Sequence, residues 1–324
     1  MTTVPGEERA GVRLTNLDDE LFEGAQATKR DLVGYLDAVR DLILPCLADR
    51  PLSVIRVLRG QAPFMQKNVP RYTPDFVRTV SMWAESSHRE VSYALCNDRQ
   101  TLMWFANQRA VEYHPTLMRV GRWDNPDFVV LDIDPPDGAG FVLVVQAAML
   151  VREALAAAGL QGAVKTSGAK GVHVFVPLAD GQSAADAAAA TRAIAARAER
   201  LGPEVATTAF VRADRAGKVF IDPTRAGGAT VVSAYSPRVR PGTPVSFPVG
   251  WDRLADARPA DFALRNAADL LAGRDAWAES LPAPQRLPAD LVAEGHSIPI
   301  ARVAAMHEGK RRARARREEG SAPG

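Results

Sequence analysis

The stretch FVVLDIDPPDG, Phe128 to Gly138, ends an apolar run with two aspartates, Asp132 and Asp134. Residues i and i+2 of a strand face the same side, so the two carboxylates point together. Two adjacent buried carboxylates repel, and one stays protonated unless a cation lies between them. A divalent ion that favours hard oxygen ligands, Mg²⁺ or Mn²⁺, resolves the conflict. A solvated strand end before a Pro-Pro turn accounts for a bare DxD about equally well.

A second segment adds to this. KTSGAKGVHVFVPL (165–178) contains Ser167, Gly168, Lys170, Gly171 and His173. The two glycines would let a loop approach a ligand closely. Ser167 and Lys170 can donate to phosphate oxygens. His173 follows on the next strand, where it could donate to a β- or γ-phosphate. The GxxxxGK[ST] pattern is absent, so this is no Walker A loop. Taken alone, the segment also reads as a tight hairpin with an inward histidine.

The third segment is KVFIDP, where Asp222 ends an apolar strand as Asp132 does. Three strand-borne carboxylates beside a phosphate-cradling loop point to phoshoryl transfer with two divalent ions per site, Mn²⁺ or Mg²⁺. Asp132 and Asp134 would bridge both ions, and Asp222 would complete the site of an attacking 3′-hydroxyl.

The elements that must hold these residues follow from hydrophobic periodicity. Strands are expected over 52–60, 89–97, 128–134, 217–223 and 230–236, with strand, glycine loop and strand over 164–178. Helices are expected over 28–47, capped by Thr28 and ended by Pro45, and over 99–114, 140–159 and 183–202. Residues 12–21 read as extended and 61–75 as loop. From Arg258 the chain turns helical, then Pro-rich. Without a strict βαβ repeat, the fold class is α/β (α+β) with a mixed sheet. The division expected is one catalytic domain over 1–280, made of an N-terminal subdomain (12–125) packed on a catalytic sheet (126–280). A Pro-rich extension (281–308) and a disordered basic tail (309–324) follow.

The chain has 324 residues, 47% hydrophobic and 24% charged, which fits an ordinary globular protein. No apolar run reaches the roughly 18 residues of a membrane span, and MTTVPGEERAG lacks a signal-peptide core. Cys46 and Cys96 show no CxxC spacing, which argues against a zinc knuckle or disulfide scaffold. The cytoplasm, with nucleoid association, is the expected compartment. Net charge is +2, yet KRRARARR (310–317) alone holds six basic residues. Without residues 310–319 the balance is 34 basic to 36 acidic, so nucleic-acid binding by the core would need a local basic surface. The tail could hold DNA through counterion release. A solvated terminus is an equally good reading.

DID (132–134), SGAKGVH (167–173) and Asp222, in this order, resemble the three motifs of the archaeo-eukaryotic primase superfamily. More closely, Val12 to Asp275 resembles the polymerase domain of bacterial end-joining DNA ligase D and its stand-alone relatives. The resemblance implies a primase-polymerase fold with a platform like that of RNA-recognition modules. It implies template-directed addition of NTPs, preferably ribonucleotides and with Mn²⁺, to a primer 3′-hydroxyl at DNA gaps, nicks or ends. Ser167, Lys170 and His173 would hold the triphosphate, with Arg238 in YSPR and Arg215 before the third carboxylate strand. His114 in VEYH would lie near the sugar, though a core or capping histidine before Pro115 fits too. In APFMQK (62–67), Phe64 and Lys67 would meet the template, with Met65 at a position expected to be aromatic. Base stacking on an aromatic contributes about 1–3 kcal/mol, and methionine offers less. Phe64 could instead be a core residue.

Relatives recognise a downstream 5′-phosphate through N-terminal lysines. Lys29 matches one, but Asp19 stands where the other is expected, which implies weaker dependence on that phosphate. No ligase signature is present, so the resemblance implies a separate DNA ligase, and Ku, as partners. Two rival readings differ in class. A DxD phosphatase or sugar-nucleotide transferase would use the same aspartates, but DIDPPDG lacks the Gly-Thr/Val that should follow in the phosphatase. A DNA-end-binding scaffold without catalysis would need no intact carboxylates, and all three are present.

Overall fold

The computed structural model describes residues 7–84, 88–225 and 229–300, so the basic run at 310–317 lies outside the described residues. In chain order the elements are β1 (Glu8–Arg9), β2 (Val12–Arg13), α1 (Lys29–Ala38), α2 (Arg40–Leu47), β3 (Pro51–Arg56), β4 (Phe64–Gln66), β5 (Thr79–Ala84) and β6 (Arg89–Leu95). Then come α3 (Arg99–Asn107), β7 (Ala110–Pro115), β8 (Phe128–Asp134), α4 (Phe141–Ala157), β9 (Ala163–Thr166), β10 (Val172–Pro177) and α5 (Ala184–Leu201). The last are β11 (Ala206–Thr207), β12 (Val219–Asp222), β13 (Pro248–Val249), α6 (Ala267–Leu271), α7 (Ala276–Ser280) and α8 (Ala289–Ser297). No described helix is long and apolar enough to cross a membrane.

The larger sheet runs β11-β12-β8-β10-β9-β13, antiparallel throughout except for β11 with β12. Its centre, β8-α4-β9-β10-α5-β12, is a βαββαβ unit with spatial order 4-1-3-2, the ferredoxin-like arrangement shared by RNA-recognition modules. Helices α4 and α5 cover one face. Val129, Leu131 and Ile133 of β8 are wholly buried, as are Val144, Ala147 and Val151 of α4 and Ala187, Ala190 and Ile194 of α5. Asp132 and Asp134 alternate with that apolar set and emerge on the opposite face.

The smaller sheet runs β4-β3-β6-β5, with β7 on the other edge of β3, and packs with α1, α2 and α3. A strap of residues 230–249 joins the sheets. On one side, Val231 N donates to Pro115 O (3.2 Å) and Ser233 N to Tyr113 O (2.9 Å) on β7. On the other, Thr166 N donates to Phe247 O at 2.8 Å on β9.

Four local expectations need correction. The helix expected over 28–47 is capped by Thr28, whose hydroxyl accepts from Asp31 N, but it divides at Val39 (φ −98°, ψ 12°). Pro45 lies inside α2 instead of ending it. The carbonyl a proline there leaves unmet is that of exposed Asp41, which water can satisfy. The helix expected over 99–114 stops at Asn107, because Arg109 turns the chain at φ +60°. Buried Val111 and Tyr113 then alternate as a strand, so Glu112 and His114 lie on β7. Residues 230–236 form no regular strand. Tyr235 sits at φ +65°, and the Ser236 hydroxyl accepts from Tyr113 N (2.9 Å) where a backbone carbonyl would stand. Finally, residues 61–75 contain the strand β4, and β5 pairs with β6 over its whole length.

The extension after residue 280 packs back on the sheet helices. Arg197 and Arg200 of α5 pair with Glu294 of α8 at 2.6 and 2.8 Å. Gly295 permits the approach, since a Cβ there would lie 1.9 Å from Ala189 O. Gly295→Ala is therefore expected to cost about 1–3 kcal/mol of stability, read as a lower urea midpoint at an unchanged m-value. An unchanged midpoint would mean that α8 is not seated on α5.

Candidate active site

Strand register lines up the titratable groups. Cα pairing places His173 opposite Asp132 on one side and Asp222 opposite Asp132 on the other. Lys165 pairs with His173 one strand further out. Cross-strand partners share a face, so Lys165, His173, Asp132 and Asp222 form one polar row across β9, β10, β8 and β12. Asp134 stands two residues along β8 on the same face.

Each member of the row is tied to the next. His173 Nε2 lies 3.2 Å from Asp132 Oδ1. His173 Nδ1 lies 2.9 Å from Lys165 Nζ. Arg225 reaches Asp132 Oδ2 at 3.2 Å and Asp222 Oδ2 at 3.4 Å. Asp222 Oδ1 also accepts from Thr224 N (2.8 Å) and Oγ1 (2.6 Å). The two β8 aspartates are driven apart in acidity. Burial works to raise Asp132, but His173 and Arg225 outweigh it and bring the pKa down to about 2. Burial, then the charges of Asp132 and Asp222, push Asp134 up to about 6. Burial, then the Lys165 charge, lower His173 to about 4.

The Ser-Lys-His segment forms the loop between β9 and β10. Ser167 Oγ accepts from Ala169 N and Gly171 N, both at 3.2 Å, and so closes the loop. Lys170 is mostly exposed and donates to Asp137 Oδ1 at 2.8 Å. The glycines are also required by the packing of the loop itself. A Cβ on Gly171 would lie 2.1 Å from Ile133 O, and one on Gly168 (φ +67°) would lie 2.6 Å from Arg238 Cγ. Both allow close packing against protein.

The strap brings Arg238 onto this loop. Its Nη1 donates to Ser167 O, and its Nε lies 3.0 Å from Glu112 Oε2. The same Glu112 oxygen accepts from His114 Nε2 at 2.8 Å, and Oε1 accepts from Val239 N at 2.8 Å. Burial would raise the Glu112 pKa, but His114, Arg238 and the Val239 amide bring it down to about 2. Arg215 ends a short 3₁₀ turn, stacks 3.7 Å over the Phe220 ring and donates to Ala209 O and Phe210 O. Asp134, Lys170, Arg212, Arg215 and Arg240 line a cleft of about 740 Å³ beside Gly168. Four cations around one end of a carboxylate row form a surface for a polyanion.

The model of the family described as LigD, primase-polymerase domain, matches residues 28–277. The chain belongs to that family. It is 32% identical over 265 residues to the bifunctional non-homologous end joining protein LigD of Bacillus subtilis, covering 80% of this chain and 42% of that protein. It is 31% identical over 250 residues to the multifunctional LigD of Mycolicibacterium smegmatis, covering 76% of this chain and 32% of the relative. The chain thus spans less than half the length of these curated relatives. Among solved structures it is similar to the polymerase domain of Mycobacterium tuberculosis ligase D in complex with DNA. That match has 29% identity and a TM-score of 0.75, over 83% of this chain and 96% of the other. As a member of the LigD primase-polymerase family the chain is a nucleotidyltransferase of the polymerase type.

Of the residues expected to meet DNA, Phe64 and Lys67 lie elsewhere on the surface and Lys29 does not. Phe64 and Met65 on β4 are 37% and 45% exposed, so Phe64 is no core residue; Arg56 stands 5.9 Å from its ring centroid. Register places Met65 in a row with Ile55 and Glu112, on the face that carries His114. Lys67 is exposed. Lys29 is buried, with Nζ donating to Thr15 O at 2.5 Å. Burial and the Arg109 charge lower its pKa to about 8. Arg109 also faces Asp19, at 3.8 Å.

Sequence reasoning missed Lys165, Glu112 and Arg225. Glu112 shares a strand face with His114, a signal hidden by reading 99–114 as a helix. Arg225 stands three residues after Asp222. The low pKa of Glu112 yields a test. A carboxylate acidified by folding stabilises above its unfolded value near 4.5, and that stability is lost as pH falls toward 2. Glu112→Gln is therefore expected to flatten the acid limb of the stability profile, removing about 3 kcal/mol of pH-dependent stability between pH 5 and 2. Urea titrations of both proteins across that range measure it, and identical slopes would refute the arrangement.

Proposed function

We propose that the protein extends a primer 3′-hydroxyl with templated NTPs, preferring ribonucleotides, at gaps, nicks or ends of DNA during repair. The observation that carries this reading is the carboxylate row beside a cationic cleft. Asp132, Asp134 and Asp222 present only oxygen donors, which suits Mn²⁺ or Mg²⁺. Among the described residues no three such side chains converge on one point, and Arg225 spans Asp132 and Asp222. The elevated pKa of Asp134 still marks a surplus of negative charge that a divalent cation would relieve.

Two divalent ions, when bound, would supply Lewis acidity to the attacking hydroxyl and neutralise charge on the triphosphate. The chain's own residues then align the reactants. Lys170, Arg215 and Arg238 offset triphosphate charge, Ser167 and His173 donate to its oxygens, and His114 lies toward the sugar, where a ribose 2′-OH could be read. Phe64, Met65 and Lys67 hold the template strand. Recruitment by Ku and sealing by a separate ligase belong to the same proposal; the end-joining names of the relatives support the pathway, and the two partners come from the family resemblance alone.

The primary test is extension at a one-nucleotide gap with Mn²⁺. Asp132→Ala is expected to abolish addition while the protein stays folded by circular dichroism; near-wild-type extension by that variant would end the polymerase reading. Omitting the downstream 5′-phosphate should slow gap filling only slightly, because Lys29 is buried and Asp19 is acidic. A large phosphate effect would overturn that part. Metal binding requires ionised carboxylates, so protons compete below the Asp134 value of about 6. Mn²⁺ affinity measured by calorimetry should weaken steadily from pH 7 to pH 5, and Asp134→Asn should remove that dependence.

A further inference from the structure

Glu112 is buried on β7 and engaged through both carboxylate oxygens. Oε1 accepts from Val239 N and Oε2 receives His114 Nε2, each at 2.8 Å. Arg238 Nε lies 3.0 Å from Oε2, but its hydrogen is not aimed there, so this is a contact of charges and no directed bond. One carboxylate thus joins β7 to the strap, and Arg238 carries the connection on to Ser167 O in the loop between β9 and β10.

That carboxylate sets the polarity of the His114 ring. Flanked by a guanidinium and a backbone amide it is ionised and only accepts, so His114 Nε2 carries a hydrogen. Burial, helped by the Arg238 and Lys165 charges, outweighs Glu112 and holds the His114 pKa below its ordinary value. The ring is therefore neutral at pH 7 and has one N–H, which leaves a lone pair on Nδ1. Nδ1 makes no hydrogen bond among the described residues. Its cross-strand neighbour Ser53 does not fill it, because the Ser53 hydroxyl is itself buried without a partner. The His114 side chain keeps 11% of its surface open, and Nδ1 is not one of the sealed, partnerless atoms. An acceptor without a hydrogen sorts sugar substituents by polarity. A 2′-hydroxyl donates to it, a 2′-hydrogen offers nothing, and a 2′-fluorine brings negative charge against the lone pair.

We propose that Glu112 is a positioning residue that fixes His114 with Nδ1 as an acceptor, so that the site selects the sugar of the incoming nucleotide by the capacity of its 2′ group to donate. The nucleotide and its sugar rest on the polymerase reading above. The bond between Glu112 and His114 does not.

Two measurements on the full chain test the proposal. Long-range ¹H–¹⁵N spectra of histidine-labelled protein report the His114 tautomer. Filling of a one-nucleotide gap with Mn²⁺ compares kcat/KM for nucleoside triphosphates carrying 2′-OH, 2′-H or 2′-F. The wild type is expected to show Nε2–H and to prefer 2′-OH over 2′-F by about tenfold, the worth of one hydrogen bond, with 2′-F no better than 2′-H. Fluorine favours the ribose-like pucker, so use of 2′-F as readily as 2′-OH would mean that ring shape is recognised and would overturn the proposal. In Glu112→Gln the Val239 amide retains the side-chain carbonyl, which turns the amide N–H₂ toward His114 Nε2. The ring should then populate Nδ1–H, and the 2′-OH to 2′-F ratio should fall by about threefold or more. A weaker triphosphate contact through Arg238 cancels in that ratio. In a His114→Ala background the same substitution should change the ratio by less than about twofold. An equal fall there, an unchanged ratio, or a ring that keeps Nε2–H without the carboxylate each overturns the proposal. Should Glu112→Gln fail to fold, the wild type decides alone: an Nδ1–H ring refutes the assignment, and Nε2–H with 2′-F rejected like 2′-H upholds it. If the wild type adds no nucleotide, the polymerase reading fails separately, and the tautomer response still decides whether Glu112 sets the ring.

Discussion

Three carboxylates on one face of a sheet repel one another, and the neighbourhood of β8 is organised around that repulsion. Helices α4 and α5 cover the other face and contribute no charge to the row. Compensation must come from the strands on either side and from the segments crossing the open face. His173 and Lys165 stand on the β10 and β9 side, with Arg225 beyond β12 and Arg238 delivered by the strap. All of this depends on strand register. A slip of one residue between β8 and β10 would turn His173 away from Asp132 and set Val172 or Val174 in its place. The apolar residues alternating with the row, wholly buried against the helices, hold that register.

A second dependence runs between the two sheets. Glu112 lies on the smaller sheet and Arg238 on the strap, yet one carboxylate oxygen meets both Arg238 and His114. The Tyr113 amide is held by Ser236 and the Tyr35 hydroxyl by Tyr235 O. Both walls of the cleft are therefore tied to the same short strap. Such an arrangement is preorganised, with donors and charges in place before a ligand arrives.

The parts of this design that were legible in the sequence share one property: their signal is local. β8 and β12 read as apolar runs closed by aspartate, α4 and α5 as long capped or glycine-ended helices, and the three aspartates with Ser167 and His173 as motifs. The parts that were not legible depend on distant partners. Lys165 looks like an ordinary solvated lysine until Ser246, 81 residues away, is placed beside it. Glu112 could be read only once β7 was known to be a strand, and a single left-handed residue, Arg109, separates that strand from the helix before it. The break at Val39 is similarly silent, since the apolar spacing continues through it. The strap scores as a strand by composition, but a serine side chain completes its pairing.

The glycines of the SGAKG loop bear on how relatives of this chain are recognised. Gly168 is pinned by Arg238 and the Val245–Ser246 backbone, and Gly171 by the Ile133 carbonyl. Neither constraint involves a substrate. A descendant that lost its aspartates and its chemistry would still need both glycines to keep the loop seated on β8. That signature is therefore a marker of ancestry and architecture, and a search built on it alone would gather silent homologues together with working enzymes. Discriminating between them falls to the carboxylates, which the architecture would be more comfortable without.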